Sequence, residues 1–120
     1  MKHWVMDYET LSNCFTGVFE HYKTNESKTF VVHDLRNDFD DFISFLKDNV
    51  HNKEWHISYN GLAFDGQITQ YIIDNYYLWD NLKGCEIANI IYKYAQYCIN
   101  KSNNKEFMDY PIWKMKIGQI

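Results

Sequence analysis

Three short segments of strand character follow one another within the first 33 residues, joined only by polar turns, and nothing else in the chain limits its fold as strongly. The first, His3 to Tyr8, is an apolar run that ends on acids. The second, Phe15 to Tyr22 (FTGVFEHY), and the third, Thr29 to His33 (TFVVH), are rich in aromatic and β-branched residues, and KTNESK between them is a turn. Such a series predicts an antiparallel meander.

Beyond it the hydrophobic period changes. Asn37 offers a helix N-cap, and Asp38, Asp40 and Asp41 fall in a first turn, where the helix dipole favours anions. Phe39, Phe42, Ile43 and Leu46 then recur at helical spacing to about Asn49. Trp55 to Tyr59 (WHISY) alternates as a fourth strand. A second helix is expected after Asn60-Gly61, with Phe64, Ile68, Tyr71 and Ile72 on its stripe. A third covers about Cys85 to Ile99, with Ala88, Ile91, Tyr92, Ala95 and Ile99 on one face. Asn100 to Glu106 (NKSNNKE) reads as a loop, and Trp113, Met115 and Ile117 alternate in a closing strand. The order β-β-β-α-β-α-α-β predicts an α/β fold, a mixed sheet with helices packed on it, in a single domain over 1–120.

Composition narrows the function classes. With 46% hydrophobic and 23% charged residues, the chain can bury one core. No apolar run approaches the roughly 18 residues of a membrane span, and acids appear by position 7, unlike a signal peptide. A net charge of −4 argues against a basic nucleic-acid clamp, but an acidic site can still meet phosphate through bound metal ions. Cys14, Cys85 and Cys98 are odd in number and share no metal-site spacing, which predicts free thiols in a reducing, cytoplasmic setting.

Two elements carry chemistry. In Val5-Met6-Asp7-Tyr8-Glu9-Thr10, a strand would project Asp7 and Glu9 from one face. Adjacent carboxylates repel, and a divalent cation relieves the repulsion while using both as hard oxygen ligands. D-x-E alone arises by chance in roughly half of chains with this composition. The second element is Tyr59-Asn60-Gly61-Leu62-Ala63-Phe64-Asp65, where a strand stops and a helix opens. Asp65 would stand in the first helical turn, at the carboxyl end of a strand, where α/β sheets place their sites. The bland alternative is a helix start, with Asp65 complementing the dipole and Phe64 in the core.

Together the two elements resemble the DEDD superfamily of 3′–5′ exonucleases, in particular the proofreading exonucleases of phage and bacterial DNA polymerases. DYET matches the first motif, D-x-E-T, and YNGLAFD matches the second, N-x3-F-D. The resemblance covers nearly the whole chain. It implies a ribonuclease H-like fold and metal-dependent hydrolysis at the 3′ ends of single-stranded or frayed DNA. It also implies a two-metal Mg²⁺ or Mn²⁺ site with Asp7, Glu9 and Asp65 as catalytic, metal-holding carboxylates. Thr10 and Leu11 would lie near the terminal nucleotide, and Asn60 and Phe64 near the next, with Phe64 either stacked on a base or buried in the core. The motifs do not separate DNA from RNA.

The family's third motif, Y-x3-D or H-x4-D on a late helix, supplies a fourth carboxylate. Here the chain ends at KIGQI. The Y-x3-D formed by Tyr76 and Asp80 comes too soon after Asp65 to serve. The resemblance therefore implies the N-terminal part of such a domain, truncated at its C-terminus. Its partner would be a DNA polymerase or a separate chain bearing the missing segment, in the cytoplasm of a bacterial or phage-infected cell. The other reading is a non-catalytic module of the same fold that binds a polymerase, another subunit or nucleic acid. A sheet edge near Ile117 to Ile120 would be open to pairing, so a homodimer is one expectation. His3, His21, His33, His51 and His56 are scattered; His51 and His56 flank a loop and could bind metal, but a surface position is the better expectation for them. Tyr71, Tyr76, Tyr77 and Trp79 are expected at a core edge or a binding face.

Overall fold

A computed structural model describes residues 3–59, 61–106 and 115–120. The meander is there: β1 (His3–Leu11), β2 (Cys14–His21) and β3 (Ser27–Val32) pair antiparallel, with Tyr8 opposite Gly17 and Phe19 opposite Lys28. α1 (Phe39–His51) returns the chain to β4 (Trp55–Ser58), which lies parallel to β1. A π-helical turn (Gly61–Asp65) runs directly into α2 (Gly66–Asn75). A short 3₁₀ turn (Tyr76–Trp79) leads on to α3 (Gly84–Asn103), and β5 (Lys116–Gln119) adds parallel to β4. The protein is α/β: its described residues form a five-stranded mixed sheet in the order β3-β2-β1-β4-β5, flanked by helices.

Side-chain alternation explains the layering. Trp4, Met6 and Tyr8 of β1 and Phe15 and Phe19 of β2 are buried, whereas Val5, Asp7, Glu9 and Val18 are exposed. The inward set joins Phe42, Phe45 and Leu46 of α1, Ile68 and Ile72 of α2, and Ile87, Ala88 and Ile91 of α3 in one core. Phe42 is its hub, with its ring centroid 5.3 Å from Phe30 and 5.6 Å from Phe15. Rings in such tilted contacts add to the energy of burial itself.

Several expectations are corrected. α1 starts at Phe39: Asn37 Oδ1 accepts the Phe39 N–H at 3.1 Å, while Asp38 turns back to accept from Val31 N (2.9 Å) and Arg36 Nε (2.8 Å). α3 runs to Asn103, so the first residues of NKSNNKE are helical. Its buried face is Ile87, Ala88, Ile91, Tyr94, Ala95 and Cys98. Tyr92 is only half-buried and Ile99 is exposed, because Tyr94 turns inward to stack on Tyr71 at 4.0 Å. The closing strand begins at Lys116, with Met115 buried before it and Trp113 outside the described residues.

His56, expected on the surface, is buried, as is His21. His56 lies against Phe19 and Phe45, and its Nε2 meets Asn49 Nδ2 at 2.8 Å. Trp79 is buried against Phe39, whereas Tyr77 is exposed, so the aromatic cluster is a core edge with one exposed member. No helix among the described residues is long and apolar enough to cross a membrane.

Candidate functional site

β4 pairs with β1 only as far as Val5, opposite Ile57. From Met6 onward β1 therefore has β2 on one side and, among the described residues, no strand on the other. Asp7 and Glu9 stand on this open half of the strand. Both are exposed on the outward face, opposite Val18 and Thr16 of β2. The period-2 expectation for these two carboxylates holds.

The space beside β1 is taken by the connection from β4 to α2. Gly61 has no room for a side chain, since a Cβ there would come 2.6 Å from the Gly118 carbonyl oxygen of β5. This close approach lets the backbone coil tightly into the π-helical turn. The turn is tied at Leu62, whose N–H donates to Gln119 Oε1 (3.1 Å) and whose carbonyl accepts from Gln67 Nε2 (3.2 Å). Asp65 is thereby delivered to the edge of β1 and is only 5% exposed. It is buried at the junction of the turn and α2, a more enclosed place than the first-turn position expected of it.

Electrostatics tie Asp65 to β1. Burial pushes its carboxyl above the ordinary carboxylate value. The Ser58 hydroxyl pulls it down in part, the charge on Asp7 pushes it up, and the Tyr8 backbone N–H pulls it down. Asp65 Oδ1 is buried without a hydrogen-bond partner. A buried carboxylate oxygen with an empty lone pair, within electrostatic reach of a second carboxylate, offers oxygen ligands of the kind a hard divalent cation takes. Tyr8, between Asp7 and Glu9 in the chain, turns inward, and its hydroxyl meets Thr69 Oγ1 of α2 at 2.6 Å.

The charge of Asp7 reaches Asp65, and Glu9 lies one strand repeat beyond Asp7 on the same outward face. Among the described residues, no group of three His, Cys, Asp or Glu side chains is close enough to hold a metal ion together. Thr10 is half-buried and Leu11 is 59% exposed at the end of β1. Phe64 is half-buried, packing against the core while lining a cleft of about 140 Å³ with Cys98 and Ser102. Asn60 lies outside the described residues. Asp80 is exposed, in a pocket with Asn37, Phe39 and Asp40. A cavity of about 590 Å³ opens between β3 and α1, lined by Trp4, Lys28, Asp41 and Glu54 among others, and contains none of the three carboxylates. The candidate site is an open strand end, not an enclosed pocket.

Ser58, Tyr8, Thr69, Gly61 and Gly118 escaped sequence reasoning. The only local signal was the glycine following a strand end; the partners that give the others their roles are distant in the chain. The chain matches no protein-family model, no curated protein and no solved structure.

Proposed function

We propose that this protein is a ribonuclease H-like domain that hydrolyses phosphodiester bonds at the 3′ ends of single-stranded or frayed DNA with the help of Mg²⁺ or Mn²⁺. The observation that carries this reading is the buried Asp65 carboxylate at the edge of β1, with Oδ1 unsatisfied and the Asp7 charge within reach. The element order and mixed sheet agree with those implied by the DEDD resemblance. Asp7 and Asp65 would hold a cation between them, and Glu9 would extend the donor set outward. Bound cations at such sites neutralise charge on the scissile phosphate and lower the pKa of the attacking water.

The chain's own residues supply binding and orientation. Leu11, exposed at the β1–β2 turn, and the half-buried Phe64 offer apolar surface to the last bases, and stacking on an aromatic ring is worth about 1–3 kcal/mol per base. Thr10 and Asn60 would steady the sugar-phosphate ends. An RNA 3′ end satisfies the same backbone chemistry, so the sugar remains part of the test. The rest of the donor set would come from a polymerase or from a further segment bearing the family's third motif.

The absence of a three-group cluster among the described residues favours a second reading, a catalytically silent module of the same fold that binds a polymerase, another subunit or nucleic acid. Mn²⁺ titration followed by water proton relaxation separates the two. Wild type is expected to bind Mn²⁺ saturably, and Asp7→Ala to weaken that binding by at least about tenfold. Equal behaviour of the two proteins would exclude a metal site built on Asp7.

A further inference from the structure

Tyr8 is placed between two candidate ligands, yet it points away from both. Its ring lies inward over Gly17, where a Cβ would come 3.1 Å from Tyr8 Cε1, so the glycine makes room for it. Phe15 at 5.0 Å and Phe42 at 6.1 Å fix the plane of the ring. The hydroxyl is thus aimed at one place on α2, Thr69, which is itself 1% exposed. Thr69 follows Asp65 by four residues, one helical turn on, and so shares its face. The Tyr8 backbone N–H also lies near enough to the Asp65 carboxyl to lower its pKa. One residue of β1 is therefore tied to α2 through Thr69, with Asp7 and Glu9 on either side of it in the chain.

We infer that the Tyr8–Thr69 hydroxyl pair is a positioning contact that sets the separation of Asp7 and Asp65, an inference that rests on the carboxylate site proposed above. A strand and a helix joined only by apolar packing can slide by fractions of an ångström. A short buried hydrogen bond between fixed partners removes that freedom, because breaking it strands two hydroxyls away from water. Metal affinity is sensitive to such play, and loss of an outer partner commonly costs about 10–100-fold in binding.

The test uses Mn²⁺ alone as probe, on the full chain, with thermal melting recorded beside each titration. Thr69→Val keeps the shape and removes the hydroxyl, Thr69→Ser keeps the hydroxyl, and Tyr8→Phe removes a single oxygen. Thr69→Val and Tyr8→Phe are each expected to weaken Mn²⁺ binding by about tenfold or more, with Thr69→Ser within about twofold of wild type. The double variant should be little worse than either single one, as expected of a shared contact. Should Thr69→Val fail to fold, Tyr8→Phe carries the test. Unchanged affinity in the hydroxyl-less variants, in a protein that loses Mn²⁺ on Asp7→Ala, would overturn the inference and leave the site standing. Equal losses in Thr69→Val and Thr69→Ser would overturn it as well, since packing and not the hydroxyl would then be responsible. Failure of wild type to bind Mn²⁺ would remove the site and the inference together.

Discussion

At pH 7 the Asp65→Asn protein is expected to melt a few degrees above wild type while binding Mn²⁺ more weakly by about 100-fold or more. The two changes have one cause. In the unfolded chain Asp65 ionises at the ordinary carboxylate value; in the folded protein burial and the Asp7 charge hold its pKa higher. The folded state then binds the proton more tightly, so Asp65 contributes stability at low pH that is lost as pH rises through the folded value. An amide in its place carries no charge to desolvate. The advantage of the variant should shrink as pH is lowered and Asp65 becomes protonated in both states. Differential scanning calorimetry between pH 7 and pH 4, beside Mn²⁺ titration, measures both. A variant that melts below wild type at pH 7 would show that the ionised carboxylate is stabilising where it lies. Keeping an ionised group where the fold disfavours it is what a site retained for ligand binding, and not for stability, would do.

His56 should dominate the acid side of the stability profile. Its neighbours are Phe19, Phe45 and Asn49, an apolar setting with one polar contact. Burial holds its pKa down to about 3 from an ordinary 6.5. Between these values the unfolded chain takes up a proton that the folded protein refuses. Stability is thus fully present above the unfolded value and falls with pH, by about 1.4 kcal/mol per unit for this one group. Urea unfolding from pH 7 to pH 4.5 should show that slope in wild type. In His56→Gln, which can still accept from Asn49, the slope should be shallower by about one proton. Parallel slopes would mean that His56 is protonated within the fold.

Much of this architecture follows from local pattern. Alternation placed Asp7 and Glu9 on one face and Trp4, Met6 and Tyr8 on the other, because a strand's period of two needs no knowledge of what packs against it. The helix-strand order was legible for the same reason. The departures arise where distant residues decide. The π-helical turn depends on Gly61 meeting Gly118, on different elements far apart in sequence. The inward turn of Tyr94 depends on Tyr71 of α2, and the burial of His56 on Asn49 across the α1–β4 connection. Asp65 was marked by its motif, but its burial follows from β4 ceasing to pair with β1 after Val5, which leaves the strand edge to be filled from elsewhere. A reading of single segments cannot contain that event.

The proposed activity is tested most directly by incubating 5′-labelled single-stranded DNA with Mn²⁺ and the folded chain, with Asp7→Ala alongside. A ladder shortening from the 3′ end that disappears in Asp7→Ala is the predicted result. No shortening by the wild-type protein, even when a segment carrying the third motif is supplied in trans, would contradict the exonuclease reading.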